Sequence, residues 1–122
     1  MEKKVLVVDD DPDICELIKV ALSPKGYTVK VAQTGIEGIE DVGMFTPDLI
    51  LLDMTLPDME GTDVAKKIKH TEAGKNAPIL MMSGHGYSRS EIDVTLFAGI
   101  LNKPFSLADL AKEADKYASD HH

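Results

Sequence analysis

Short apolar runs alternate with helix-period stretches along the whole chain. Lys4–Asp9 (KVLVVD) is rich in β-branched residues, apolar on both faces and too short for a helix. Asp48–Asp53 (DLILLD) and Pro78–Met82 (PILMM) have the same character. Such runs suit strands buried on both sides of a parallel sheet. Tyr27–Ala32 (YTVKVA) alternates instead, as a strand near a sheet edge does, and Gly99–Leu101 reads as a brief strand.

Helical patterns fill the gaps. Asp11 and Pro12 read as N-cap and first helical residue. Ile14, Leu17, Ile18, Ala21 and Leu22 follow on one face, and Ser23-Pro24-Lys25-Gly26 ends that helix. A second helix opens at Gln33-Thr34-Gly35 and runs to about Val42. A third runs from Thr62 to about His70 with Val64, Ala65 and Ile68 inward. Ser88 and Glu91 resemble a capping box for a short or irregular helix ending at Phe97. Ser106 caps the last helix, whose apolar face is Leu107, Leu110, Ala111, Ala114, Tyr117 and Ala118. Strands and helices in strict alternation predict an α/β fold: a doubly wound, five-stranded parallel sheet with helices on both faces. The expected strand order is 2-1-3-4-5, the flavodoxin-like arrangement.

Composition narrows the function. A chain of 122 residues suits one domain, expected over residues 1–120, with His121-His122 read as the remnant of an expression tag. Lys and Arg total 13 against 21 Asp and Glu, a net charge of −8. Bulk charge of that sign excludes holding nucleic acid phosphates or an anionic membrane surface. Cys15 is the only cysteine, which excludes an internal disulfide and a multi-cysteine zinc site. The chain has no apolar run of membrane-spanning length and its start, MEKK, lacks a signal-peptide core, so a cytoplasmic location is expected.

The acids are unevenly placed. Asp9, Asp10, Asp11 and Asp13 crowd the end of the first strand. In an open parallel sheet, ligands bind outside the carboxyl ends of the strands where strand order reverses. Asp9 and Asp10 close strand 1, Asp53 closes strand 3, Ser83 closes strand 4 and Lys103 closes strand 5. Strands 1 and 3 flank the switch point, so Asp9, Asp10 and Asp53 are expected in one pocket. Three carboxylates together repel unless a cation sits among them. Lys103 can supply one, and Mg²⁺ another, since it favours one or two carboxylates, waters and a phosphate. A carboxylate in that setting can act as a nucleophile and become an aspartyl phosphate.

The segments VLVVDDDPDI, LILLDMTLPDMEG, PILMMSGHG and NKPF, in this order, resemble the receiver domain of bacterial two-component response regulators over essentially the whole chain. The order 2-1-3-4-5 is also this family's own, so the two expectations are not independent. The resemblance implies that Asp53 is the phosphoacceptor. It implies that Asp9 and Asp10 are the acidic pair for Mg²⁺, Asp10 directly and Asp9 often through water, with the Thr55 backbone carbonyl as a further ligand. Ser83 matches the hydroxyl that swings toward the phosphoryl group, Lys103 matches its charge partner, and Lys103-Pro104 matches a cis peptide bond. The implied function is Mg²⁺-dependent transfer from a histidine kinase or phosphotransfer protein to Asp53, switching a surface that an unidentified effector reads. The chain would then be a signalling module, not an enzyme. The resemblance also allows a homodimer, and implies that Thr55 and His85 tune phosphoryl lifetime.

Two departures stand out. Ile100 occupies a position where the family usually has an aromatic residue, and the stretch from Ser83 to Lys103 is short for the family. They motivate an alternative, a pseudo-receiver that binds proteins without phosphorylation. The intact Asp9, Asp10, Asp53, Ser83 and Lys103 set argues against it. A haloacid dehalogenase-type phosphohydrolase would need an acid where Thr55 stands, and a flavin carrier would need a phosphate-binding loop where the four acids stand. Other polar residues have ordinary readings. Asp11 and Asp13 suit helix capping and the helix dipole. Asp48, Asp58 and Glu60 read as loop acids, His70 as exposed at a helix end, and Cys15 as a structural thiol. Met54, Met59, Met81 and Met82 read as core or loop packing.

Overall fold

The computed structural model describes residues 3–84 and 91–119. The elements are β1 (Lys3–Val8), α1 (Pro12–Leu22), β2 (Tyr27–Ala32), α2 (Gly35–Phe45), β3 (Leu49–Asp53), α3 (Gly61–Lys69), β4 (Ile79–Ser83), β5 (Gly99–Asn102) and α4 (Leu107–Ser119). All four strand pairings are parallel, in the order β2-β1-β3-β4-β5. This is the doubly wound, flavodoxin-like sheet that the apolar runs predict.

Two apolar layers sandwich the sheet. Val5 and Val7 of β1, Leu49 and Leu51 of β3, and Leu80 and Met82 of β4 pack with Ile18 of α1 and Leu110 and Ala114 of α4. Their strand neighbours Leu6, Val8, Ile50, Leu52, Ile79 and Met81 pack with Val42 of α2 and Val64, Ala65 and Ile68 of α3. Successive strand residues face opposite sides, so a run apolar at every position fills both layers. Among the described residues, no helix is long and apolar enough to cross a membrane.

Local chemistry sets the boundaries. The Asp11 side chain accepts from the Asp13 N–H at 2.9 Å, capping α1 with Pro12 in its first turn. A single 3-10 turn, Ser23–Lys25, follows α1 and ends at Gly26 with φ 93°, which only glycine adopts freely. α2 continues past the expected Val42 to Phe45, because Thr46, at φ 48°, supplies the left-handed stop.

Two readings are corrected. The expected short or irregular helix does not reach Phe97: Glu91 is 3-10, but beyond it the Asp93 carboxylate accepts from the Thr95 N–H at 2.9 Å, and the Leu96 and Phe97 N–H groups turn back onto the Asp93 carbonyl. An aspartate that bonds its own backbone in this way favours a turn over a helix. Ser88, the other half of that capping box, lies outside the described residues, so α1 to α4 are four helices among those described. Leu107, expected inward, is 47% exposed in the first turn of α4. The buried face of α1 includes Cys15.

Candidate functional site

The strands deliver their polar ends to one edge of the sheet. The Asp9 N–H donates to the Ala32 carbonyl of β2 at 3.0 Å, continuing the ladder one residue past β1. Val8 pairs with Leu52, so Asp9 and Asp53 come next at the same level on neighbouring strands. Ser83 ends β4 opposite Asn102, and its carbonyl accepts from the Lys103 N–H at 2.7 Å.

Asp9, Asp10 and Asp53 each offer a carboxylate oxygen, and these oxygens lie within 4.8 Å of one another. Asp9 is fully buried, Asp53 keeps 9% of its surface exposed, and Asp10 is exposed. The Lys103 ammonium donates to Asp9 Oδ2 at 2.8 Å and lies 3.5 Å from Asp53 Oδ1. Asp9 Oδ1 accepts from the Asp11 N–H at 2.9 Å. Both oxygens of the buried Asp9 are therefore engaged by the protein, while Asp10 is exposed and Asp53 keeps a small part of its surface open.

The electrostatics follow from this crowding. Burial, then the charge of Asp9, pushes the Asp53 carboxyl above its ordinary range; the Lys103 charge and a Thr55 backbone N–H oppose this without cancelling it. Burial pushes Lys103 down, but the hydrogen bond and charge of Asp9, with the charge of Asp53, outweigh it and keep the ammonium protonated. One cation thus faces three carboxylates. An all-oxygen, carboxylate-rich donor set with surplus negative charge fits a hard divalent cation such as Mg²⁺.

Asp9, Asp10, Asp53 and Lys103 are thus brought together as expected. Thr55 is exposed, two residues after Asp53, and pairs with Glu60 across the loop that follows β3. Ser83 is buried at the end of β4. His85 lies outside the described residues. The Lys103-Pro104 bond is cis. Met81 and Met82 are core residues, and Met54 and Met59 pack against the core. Cys15 is buried beneath the pocket, its thiol donating to the Asp9 carbonyl at 3.3 Å, and burial first pushes it up to about 11. That is an inert thiol.

Two residues read as loop acids do more than that. The Asp48 carboxylate accepts from the Lys4 N–H at 2.8 Å. Asp58 accepts from the N–H groups of Gly35 and Ile36, at the start of α2. Gly61 closes the same loop: a Cβ there would stand 2.7 Å from the Asp53 carbonyl oxygen and 2.7 Å from Met54 Cα. Backbone cannot step aside as a side chain can. Gly61→Ala is therefore expected to cost about 1–3 kcal/mol, seen as a lower urea midpoint at unchanged slope. An unchanged midpoint would show that the loop has room to yield.

The same fold recurs in known proteins. The chemotaxis response regulator CheY4 of Vibrio cholerae superposes with a TM-score of 0.88 at 28% identity, over 96% of this chain and 99% of that one. The receiver domain of the sensor histidine kinase PA1611 from Pseudomonas aeruginosa PAO1, which has a magnesium ion coordinated in its active-site cleft, gives a TM-score of 0.86 at 25% identity, over 98% of this chain and 99% of that one. Response regulator MprA of Mycobacterium ulcerans (strain Agy99) is 37% identical over 113 residues, 90% of this chain but only 47% of MprA. The chain thus spans about half the length of the curated relative it matches. The family model described as "Response regulator receiver domain" matches residues 5–115, and with that span, this strand order and these relatives the chain belongs to the receiver domain family of response regulators.

Proposed function

We propose that this chain is a phosphoacceptor switch of a two-component phosphorelay, with Asp53 as the acceptor. One observation carries the reading: three carboxylates and one ammonium converge at the carboxyl edge of the sheet. Asp9, Asp10, Asp53 and the Thr55 backbone carbonyl are the residues that would hold Mg²⁺. When bound, the ion supplies positive charge that offsets the carboxylates and the phosphoryl oxygens. An Asp53 carboxylate oxygen forms the new P–O bond while the P–N bond to a donor phosphohistidine breaks and its electron pair leaves with the imidazole. Lys103, protonated and tethered by Asp9, offsets the charge on the transferred oxygens. The Ser83 hydroxyl then donates to the phosphoryl group, and its movement alters the surface beside β4 and β5.

The partners on this reading are a histidine kinase or phosphotransfer protein upstream and an effector protein downstream, in the cytoplasm, with residues 1–120 as the receiver unit. The chain itself binds no nucleic acid. It assists its own phosphorylation and dephosphorylation without turning over a separate substrate.

Intact mass spectrometry tests this. Incubation with Mg²⁺ and acetyl phosphate is expected to add one phosphoryl group per chain, and chelation of the metal to prevent it. No added mass in the presence of Mg²⁺ would overturn the reading. Absence of Mg²⁺ binding as well would favour a module that binds proteins without phosphorylation.

A further inference from the structure

The pocket uses Asp53 and Thr55 at the near end of the loop between β3 and α3. Asp58 lies near the tip of that loop, and its carboxylate reaches another element. Oδ1 accepts from the Gly35 N–H at 2.8 Å and Oδ2 from the Ile36 N–H at 3.0 Å. These are the first two residues of α2, whose N–H groups have no partner within the helix. The next, the Glu37 N–H, is satisfied locally by Thr34 Oγ1 at 3.1 Å. The start of α2 is therefore capped by its own Thr34 and, from outside, by Asp58. The Gly35 bond above all holds the Asp58 carboxyl below the usual carboxylate range, so it stays ionised against the positive end of the helix.

The loop between Asp58 and the pocket has little slack. Thr55 and Glu60 pair as an antiparallel bridge. The Leu56 N–H donates to the Met59 carbonyl at 3.2 Å, and the Gly61 N–H to the Met54 carbonyl at 2.8 Å. The loop is a closed arch with Asp58 near its tip. Packing reinforces the tie: a Cβ at Gly35 would stand 2.8 Å from Val64 Cγ2 and 3.0 Å from Met59 Sδ. The start of α2, the arch and α3 meet with no room for a methyl group.

We propose that Asp58 is a positioning residue for the metal and phosphoryl pocket, anchoring the arch to α2 and so fixing where Thr55 stands beside Asp53. This rests on the Mg²⁺ reading above. Thermodynamic linkage then requires the reverse effect: an ion that binds the ordered arch tightens the Asp58 bonds to α2 by the same factor.

Calorimetric Mg²⁺ titration of the unaltered chain, Asp58→Ala and Asp58→Asn, well below their melting temperatures, tests the assignment. Both variants remove the same charge, but asparagine keeps one acceptor oxygen. Asp58→Ala is expected to bind Mg²⁺ about ten-fold more weakly, the usual scale for groups that support ligands, with Asp58→Asn in between. Amide exchange gives a readout that lost global stability would not mimic. Mg²⁺ is expected to slow exchange at Gly35 and Ile36 in the unaltered chain and not in Asp58→Ala. Gly35→Ala keeps Asp58 but wedges the junction, and is expected to weaken Mg²⁺ in the same direction even if Asp58→Ala does not fold. Parental affinity in a folded Asp58→Ala, or equal losses in the alanine and asparagine variants, would overturn the assignment alone. Failure of the unaltered chain to bind Mg²⁺ would overturn the proposed function, and this inference with it.

Discussion

Asp53→Asn is expected to abolish phosphoryl uptake and, in the metal-free chain, to raise stability. The amide keeps the shape of the side chain but is not a carboxylate nucleophile, so no aspartyl phosphate can form. The stability gain comes from burial and from Asp9, which both disfavour the Asp53 charge. The folded-state pKa lies above the ordinary value. Asp53 therefore favours the fold fully only below its unfolded pKa, and that contribution is lost as pH rises through the folded pKa. The variant should match its parent in acid and exceed it near neutrality. Urea unfolding from about pH 4 to about pH 8 with chelator measures the crossover. Added Mg²⁺ should reverse the order, since it stabilises the parent by mass action and has one ligand fewer in the variant. Phosphoryl mass on Asp53→Asn, or a pH-independent difference, would contradict this account of the pocket.

Lys103→Met is expected to act on both stability and chemistry. Methionine replaces the stem of Lys103 but not the ammonium that meets Asp9 at 2.8 Å and Asp53 at 3.5 Å. The Lys103 side chain is 22% exposed and that of Asp9 is fully buried, so the loss falls on the carboxylate. A buried charge left without its partner costs about 3 kcal/mol. The Asp11 N–H still serves Asp9 Oδ1, which keeps the variant folded. Phosphoryl uptake is expected to slow roughly a hundred-fold, the scale for removing one preorganised charge donor. Unfolding with and without Mg²⁺, and the time course of mass gain, measure the two effects. Mg²⁺ should restore part of the stability and little of the rate. An unaltered midpoint would mean that the Asp9–Lys103 pair contributes nothing net.

Much of the site is legible in the sequence because its residues end strands. KVLVVD and DLILLD are apolar on both faces, which marks central parallel strands, and the sheet's handed connections then bring their terminal acids together. Asp53 and Lys103 needed no knowledge of side-chain geometry. Asp58 was invisible for the opposite reason. Next to Pro57 an aspartate is an ordinary turn residue, and its partners Gly35 and Ile36 lie on a distant segment. The segment before β5 misleads because the Asp93 carboxylate competes locally with helix formation. Leu107 misleads because helical spacing fixes a face but not how far that face extends over the sheet.

The uniform burial of Val5 through Val8 has a consequence for the precision of the pocket. A strand that alternates apolar and polar residues is held in register by its two unlike faces, because a slip of one residue exposes the apolar set. β1 is apolar on both faces and has no such safeguard. Its stops are at its ends, with Lys3 and Lys4 at one and Asp9 and Asp10 at the other. A slide in either direction would drag a charge into the sheet or pull Asp9 off Lys103. The acids at the end of β1 thus serve as molecular detents, holding the strand at the one setting in which the pocket exists.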